Sequence, residues 1–134
     1  MKFKYAKYGK DTFRPVIPVF LKNDRIRIGY EVLVDSGADL CLFHADIGEA
    51  IGLDIEKGKP REVFGVGGKV SVYYLHPITL VVGGWEYDIE AGFMPAVSGR
   101  SMPYGLVGQK GFFEFFKVTF DHASKDIEIK PKAK

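Results

Sequence analysis

Apolar residues in the first third of the chain fall into two runs separated by a polar pair. Pro15-Val16-Ile17-Pro18-Val19-Phe20-Leu21 reads as a strand, which its prolines confine to an edge or a strand start. Asn23-Asp24 supplies turn chemistry. Arg25 to Val34 predicts a second, longer strand, and its end, Val32-Leu33-Val34, is continuously apolar, as in a strand buried on both faces. A further apolar run, Leu40 to Phe43, leads into His44–Ile51. There Ile47, Ala50 and Ile51 recur at helical spacing, with Gly52 placed to end the helix.

From Arg61 onward the period changes to two. Val63-Phe64 runs into Gly65-Val66-Gly67-Gly68, and Val70, Val72 and Tyr74 alternate beyond it, which predicts a hairpin with a glycine-rich tip. Ile78–Val82 predicts another strand, Gly83-Gly84 a turn, and Tyr87, Ile89, Ala91 and Phe93 an alternating strand. Pro95 to Pro103 reads as a loop. Tyr104–Gly108 is a short apolar strand, and Gln109–Phe116 a second short helix rich in Phe. Val118-Thr119-Phe120 and Ile127-Glu128-Ile129 are final strands around a turn from Asp121 to Asp126. Many short strands with only one or two short helices predict a mostly β, barrel-like fold rather than a parallel α/β sheet.

Composition narrows the function classes. The 134 residues fit one domain, expected over 15–130, with an N-terminal arm over 1–14 and a basic tail over 131–134. A formal net charge of +2 is too small to argue for nucleic acid, and the terminal lysines read as solvated ends. The single cysteine, Cys41, allows no intrachain disulfide. It sits between Leu40 and Leu42 as a small buried hydrophobe, and a reducing, cytoplasmic setting is the expectation. No signal peptide or membrane-spanning run is read in the sequence, so a membrane partner is not expected. His44, His76 and His122 lack metal-ligand spacing and are expected in surface or capping roles; no metal or other cofactor is expected.

The candidate chemistry lies at Asp35. A carboxylate directly after a continuously apolar strand end is costly to place there without a use, although Asp-Ser-Gly is also an ordinary turn sequence. Val32-Leu33-Val34-Asp35-Ser36-Gly37-Ala38 resembles the active-site loop of retropepsin-like aspartic proteases, in which apolar residues precede Asp-Ser/Thr-Gly-Ala/Ser. The glycine-tipped hairpin sits where that family carries its substrate-covering flap. Gly105-Leu106-Val107-Gly108, followed by Phe112-Phe113 and Val118-Thr119-Phe120-Asp121, looks like its apolar-apolar-Gly segment, short helix and closing strand. The three features occur in the family's order and together span nearly the whole chain.

The resemblance implies a closed acid-protease-type β-barrel and an aspartic endopeptidase acting on extended or unfolded peptide. It assigns catalysis to Asp35, support of the active-site loop to Ser36, Gly37 and Ala38, and substrate contact to Asp39, Val66, Gly67 and Gly68. In that family Ser36 would bond across a dimer axis and Asp39 would anchor the loop. The chain holds one Asp-Ser/Thr-Gly, so the resemblance implies a second Asp35 from a homodimer partner. One departure stands out: many members carry Arg after the second glycine, paired with the acid at Asp39, and here Gln109 and Lys110 follow Gly108. The alternative is a weak or inactive dimeric peptide-binding or adaptor module on the same fold. A phosphate loop at Gly65–Gly68 is disfavoured because a strand follows rather than a helix. Ser36 lacks the setting of a serine nucleophile.

Overall fold

The computed structural model describes residues 1–64, 67–95 and 103–132. The chain is mostly β. Strands β1 (Lys2–Lys4), β2 (Ala6–Gly9) and β3 (Thr12–Arg14) open it, and β4 (Val16–Asn23) and β5 (Ile26–Val34) follow. After β6 (Leu42–His44) come helix α1 (Ala45–Ala50) and a 3-10 turn over Ile55–Lys57. Strands β7 (Lys59–Phe64), β8 (Val70–Val82), β9 (Trp85–Met94), β10 (Gly105–Val107), β11 (Phe116–Asp121) and β12 (Asp126–Pro131) complete it.

Seven strands form the main sheet in the order β4-β5-β10-β6-β9-β8-β7. A further pairing of β4 with β8, Phe20 to Lys22 against Val81 to Thr79, returns that order to its start. The barrel-like reading is compatible with this circuit. Inward positions hold Ile17, Val19, Leu21, Val32, Val34, Leu80, Val82, Ala91, Phe93 and Val107, all nearly or fully buried. A smaller sheet, β1-β12-β11, and a hairpin of β2 with β3 stand apart from this circuit. The residues expected as an arm are therefore paired strands of the chain itself, with Lys2 opposite Glu128 and Ala6 opposite Arg14.

Three local readings differ from the observed elements. The strands expected around Val70–Tyr74 and Ile78–Val82 are one strand, β8, despite Pro77. Pro77 lies between the β7 ladder, which ends at Leu75, and the β4 ladder, which begins at Thr79, so the missing N–H falls in a gap. The expected helix over Gln109–Phe116 is a run of turns, because Gly111 adopts φ 94° and takes the chain out of the helical region. Its N–H donates to the Glu114 carboxylate at 2.8 Å. Finally, α1 buries Ala45, Gly48 and Ile51 rather than Ile47, Ala50 and Ile51. A Cβ at Gly48 would lie 2.6 Å from Ile55 and 2.8 Å from Phe93, so the helix packs through its glycine.

Other expectations hold in detail. Gly83 and Gly84 have φ of 55° and 87°, the positive pair a two-residue hairpin turn needs between Val82 and Trp85. Phe112 and Phe116 are core residues, and Phe115 stacks on Tyr87 with ring centroids 4.4 Å apart. Cys41 is fully buried, and that burial pushes its thiol up to about 11. His76 departs from its expected surface role: it is buried and its Nε2 lies 2.7 Å from the Ile55 carbonyl oxygen. Among the described residues no helix is long and apolar enough to cross a membrane.

Candidate active site

Asp35 leaves the sheet where two parallel strands end side by side. β5 and β10 pair with Val32 opposite Gly105, Leu33 opposite Leu106 and Val34 opposite Val107. Leu106 also pairs with Leu42 of β6. Val34 and Val107 point into the core, so strand alternation sends Asp35 to the opposite face, shared with Leu106. The Asp35 N–H donates to the Val107 carbonyl at 3.0 Å, carrying the pairing one residue beyond the strand.

The loop then turns on itself. The Gly37 N–H donates to Asp35 Oδ1 at 3.0 Å, and the Ala38 N–H to the Asp35 carbonyl at 3.2 Å. The backbone N–H of Gly37 thus orients the carboxylate by a charge-assisted bond. From the other side, the N–H groups of Gln109 and Lys110 donate to the carbonyls of Ala38 and Asp39 at 2.9 and 3.0 Å. Those bonds require the two backbones to touch. A Cβ at Gly108 would lie 2.5 Å from the carbonyl oxygens of both Ala38 and Leu40. Gly108 is therefore a glycine of close approach.

Gln109, which stands where an arginine was expected, bonds elsewhere. Its Nε2 donates to the Ser36 carbonyl at 3.1 Å. Among the described residues no ion pair within 4.0 Å includes Asp39, which is exposed. The loop is anchored by an amide and by backbone bonds, not by an arginine–carboxylate fork.

Asp35, Gly37, Ala38 and Asp39 line a cavity of about 600 Å³ together with Leu40, Leu42 and Leu106. The β7–β8 hairpin forms its other wall through Glu62, Val63, Phe64 and Tyr73. Three carboxylates, Asp35, Asp39 and Glu62, face this cavity, and no lysine or arginine does among the described residues. Ser36 is exposed at the loop's tip and stands outside the lining. Gly67 and Gly68 belong to the hairpin tip, with φ of 91° and 78°. A Cβ at either would meet no atom within 4 Å, and neither lines the cavity. Val66 lies outside the described residues, as does most of the loop expected over Pro95–Pro103.

Sequence reading did not single out Leu42, Glu62, Phe64, Tyr73 or Leu106 as cavity residues. Period two could have found two of them. Val70, Val72 and Tyr74 occupy one face of β8, which places Tyr73 on the other. Leu106 lies between the buried Gly105 and Val107 and so faces away from the core.

Comparison with known proteins supplies a family and a fold. The protein family described as "Aspartyl protease" matches residues 21–110. A retropepsin-like aspartic protease from Rickettsia conorii superimposes with a TM-score of 0.66 at 16% identity, covering 95% of this chain and 88% of the other. The EIAV protease, solved with the inhibitor HBY-793, superimposes with a TM-score of 0.52 at 19% identity, covering 77% of this chain and 88% of the other. At such identities the structural likeness is one of fold. No curated protein matches the chain. With the family match spanning most of the sequence, from β4 through the Asp35 loop to Lys110, the chain belongs to the aspartyl protease family and has a retropepsin-like fold.

Proposed function

We propose that the chain is one subunit of a homodimeric aspartic endopeptidase. The observation that carries this reading is the Asp35 carboxylate, fixed by the Gly37 N–H at 3.0 Å and opening onto a cavity of about 600 Å³ between its own loop and the β7–β8 hairpin. One chain presents one such Asp-Ser-Gly loop, so a second copy completes the pair.

Two carboxylates brought to within hydrogen-bonding distance cannot both ionise, and they share one proton as a unit. The ionised member takes a proton from water as that water attacks the scissile carbonyl. The protonated member donates a hydrogen bond to the carbonyl oxygen. Ser36 would bond across the two-fold, Gly37 orients the carboxylate, and Ala38 leaves room for the peptide. Asp39 would hold the peptide backbone, and the hairpin tip at Val66, Gly67 and Gly68 would close over it and exclude water.

The test is cleavage of unfolded casein between about pH 4 and 7, the range in which a shared-proton pair operates. Asp35→Asn is the control. The variant is expected to lose essentially all cleavage while keeping its fold by circular dichroism. Equal cleavage by both proteins would remove the protease reading and leave a peptide-binding module.

A further inference from the structure

A second cavity, of about 470 Å³, adjoins the Asp35 cavity and shares Leu40 and Tyr73 with it. Two cationic side chains line it, one from each side. Arg61 stands opposite Tyr73 in the β7–β8 ladder. Lys110 belongs to the segment that holds the Asp35 loop: it is bridged to Leu40, and its N–H donates to the Asp39 carbonyl at 3.0 Å. Strand pairing therefore sets both cations beside the residues that divide the two cavities.

The sign of the charge changes across that divide. The Asp35 cavity has Asp35, Asp39 and Glu62 in its lining and, among the described residues, no lysine or arginine. Asp39 keeps its charge unneutralised because the Gln109 amide is spent on the Ser36 carbonyl. The second cavity holds Arg61 and Lys110 together with Glu90 and Glu114. Formal charges there cancel, but their engagements differ. The Glu114 carboxylate accepts the Gly111 N–H at 2.8 Å. Arg61 donates to the carbonyl of its own neighbour Pro60, at 2.9 Å. Among the described residues no ion pair within 4.0 Å includes Arg61, Lys110 or Glu90. Glu90 alone is left against two cations that the chain does not pair.

We infer that the second cavity selects an acidic side chain, an Asp or Glu of the bound peptide, through Arg61 and Lys110. This rests on the peptide-cleaving reading above and adds the class of peptide to it. In an extended chain, side chains two residues apart share a face at a spacing of about 7 Å. A peptide lying past Asp35 therefore carries a neighbouring side chain over Leu40 and Tyr73 into the second cavity. An acid is repelled by Asp39 and Glu62 on the near side and attracted by both cations on the far side. The pair of cavities thus fixes where along the peptide the acid sits. The guanidinium offers a carboxylate a two-pronged fork, and the ammonium adds a point charge. Both side chains are exposed, so water and salt screen each pair and neither is worth much alone. Together they bias the choice of substrate without being required for cleavage.

The test uses one cleavable peptide in which Glu, Gln or Lys is stepped outward from the scissile bond, and reads kcat/KM for each. At one step the Glu peptide is expected to exceed the Gln peptide by about fivefold, and Gln to exceed Lys. The difference should lie in KM rather than kcat and shrink in high salt, as for charge pairs made equally in ground and transition states. Ratios are taken within each protein, so a general loss of activity cancels. Arg61→Glu combined with Lys110→Glu is expected to reverse the order, and Arg61→Glu alone, on an exposed strand, to level it. Glu90→Gln should widen the preference for Glu. A wild-type chain that cleaves all three peptides equally at every step, or a double variant that keeps the wild-type order, would overturn this pocket and leave the protease reading standing. The same ratios read as Kd on the Asp35→Asn chain, by fluorescence anisotropy, separate the two ideas. Preferential binding of the Glu peptide without cleavage by the wild type would remove the protease and keep the pocket; binding of none would overturn both.

Discussion

The two walls of the Asp35 cavity are built in opposite ways. The wall that carries Asp35 rests on buried strand ends and is tied down by backbone bonds from the Asp35, Gln109 and Lys110 N–H groups to the Val107, Ala38 and Asp39 carbonyls in turn. The facing wall is the β7–β8 hairpin. Every residue of β7 is exposed, and among the described residues its only strand partner is β8. Its apolar side chains reach into solvent, with Phe64 at 71% exposure and Val70 at 50%. A carboxylate that must be placed to a fraction of an ångström belongs on a wall positioned by the core. A wall that must admit a chain of substrate can be held by its own ladder alone, at the low end of local stability.

The sharpest way to break this contrast is at Gly108. Its φ is unexceptional, so Gly108→Ala carries no backbone penalty of its own; the new Cβ instead meets two carbonyl oxygens at 2.5 Å. The Ala38–Gln109 and Asp39–Lys110 bonds must lengthen or the loop must shift. The expected cost is about 3 kcal/mol of stability, as for overpacking at a tight contact. It is read as a lower urea midpoint with an unchanged slope. Loss of casein cleavage should accompany it. A cost under about 1 kcal/mol would mean that the loop yields easily and that this wall is not the rigid one.

Much of this wall was legible in the sequence. An apolar run ending in Asp-Ser-Gly-Ala, and a second run ending in Gly108, name its two halves, because strand burial writes itself as continuous hydrophobicity. Their parallel pairing was not legible, since register between distant strands is set by the core as a whole. Gln109 shows the limit from another side: the absent arginine was visible, but the bond of its amide to the Ser36 carbonyl rather than to Asp39 exists only in the folded loop, just before Gly111 turns the chain at φ 94°. The helix expected over Gln109–Phe116 failed for the same glycine. The hairpin was legible because alternation and clustered glycines are local signals. The continuity of β8 through Pro77 was not, because the gap between the β7 and β4 ladders exists only in the assembled sheet.

A smaller effect sharpens the base of the rigid wall. Tyr30 of β5 packs against Gly105 of β10, and its hydroxyl hydrogen-bonds His44. Burial raises its phenol from 10.0 to about 12. The folded state therefore keeps a proton that the unfolded chain gives up near pH 10. Stability is fully present below that pH and is lost as pH rises toward 12, by about 1–2 kcal/mol from this group. Cys41, raised to about 11 from 9.0, begins the same decline about one unit earlier. Tyr30→Phe should flatten the upper part of the slope in urea midpoints measured from pH 8 to 11. An unchanged slope would mean that Tyr30 gains water in the folded state and that the strand ends beneath Asp35 are looser than their burial implies.

The smallest expected change in stability lies on the other wall. Phe64→Ser removes a side chain that is already 71% exposed and touches no core cluster, so the urea midpoint should move by no more than about 0.5 kcal/mol. Phe64 nevertheless lines the Asp35 cavity. If the hairpin covers bound peptide, the loss of that apolar contact should raise KM several-fold with kcat little changed, the pattern of binding lost equally from ground and transition states. A fall in kcat at constant KM would instead place Phe64 in the closing step, making the exposed wall part of the chemistry. A large loss of stability would show that the hairpin is packed in solution against something the single chain does not contain.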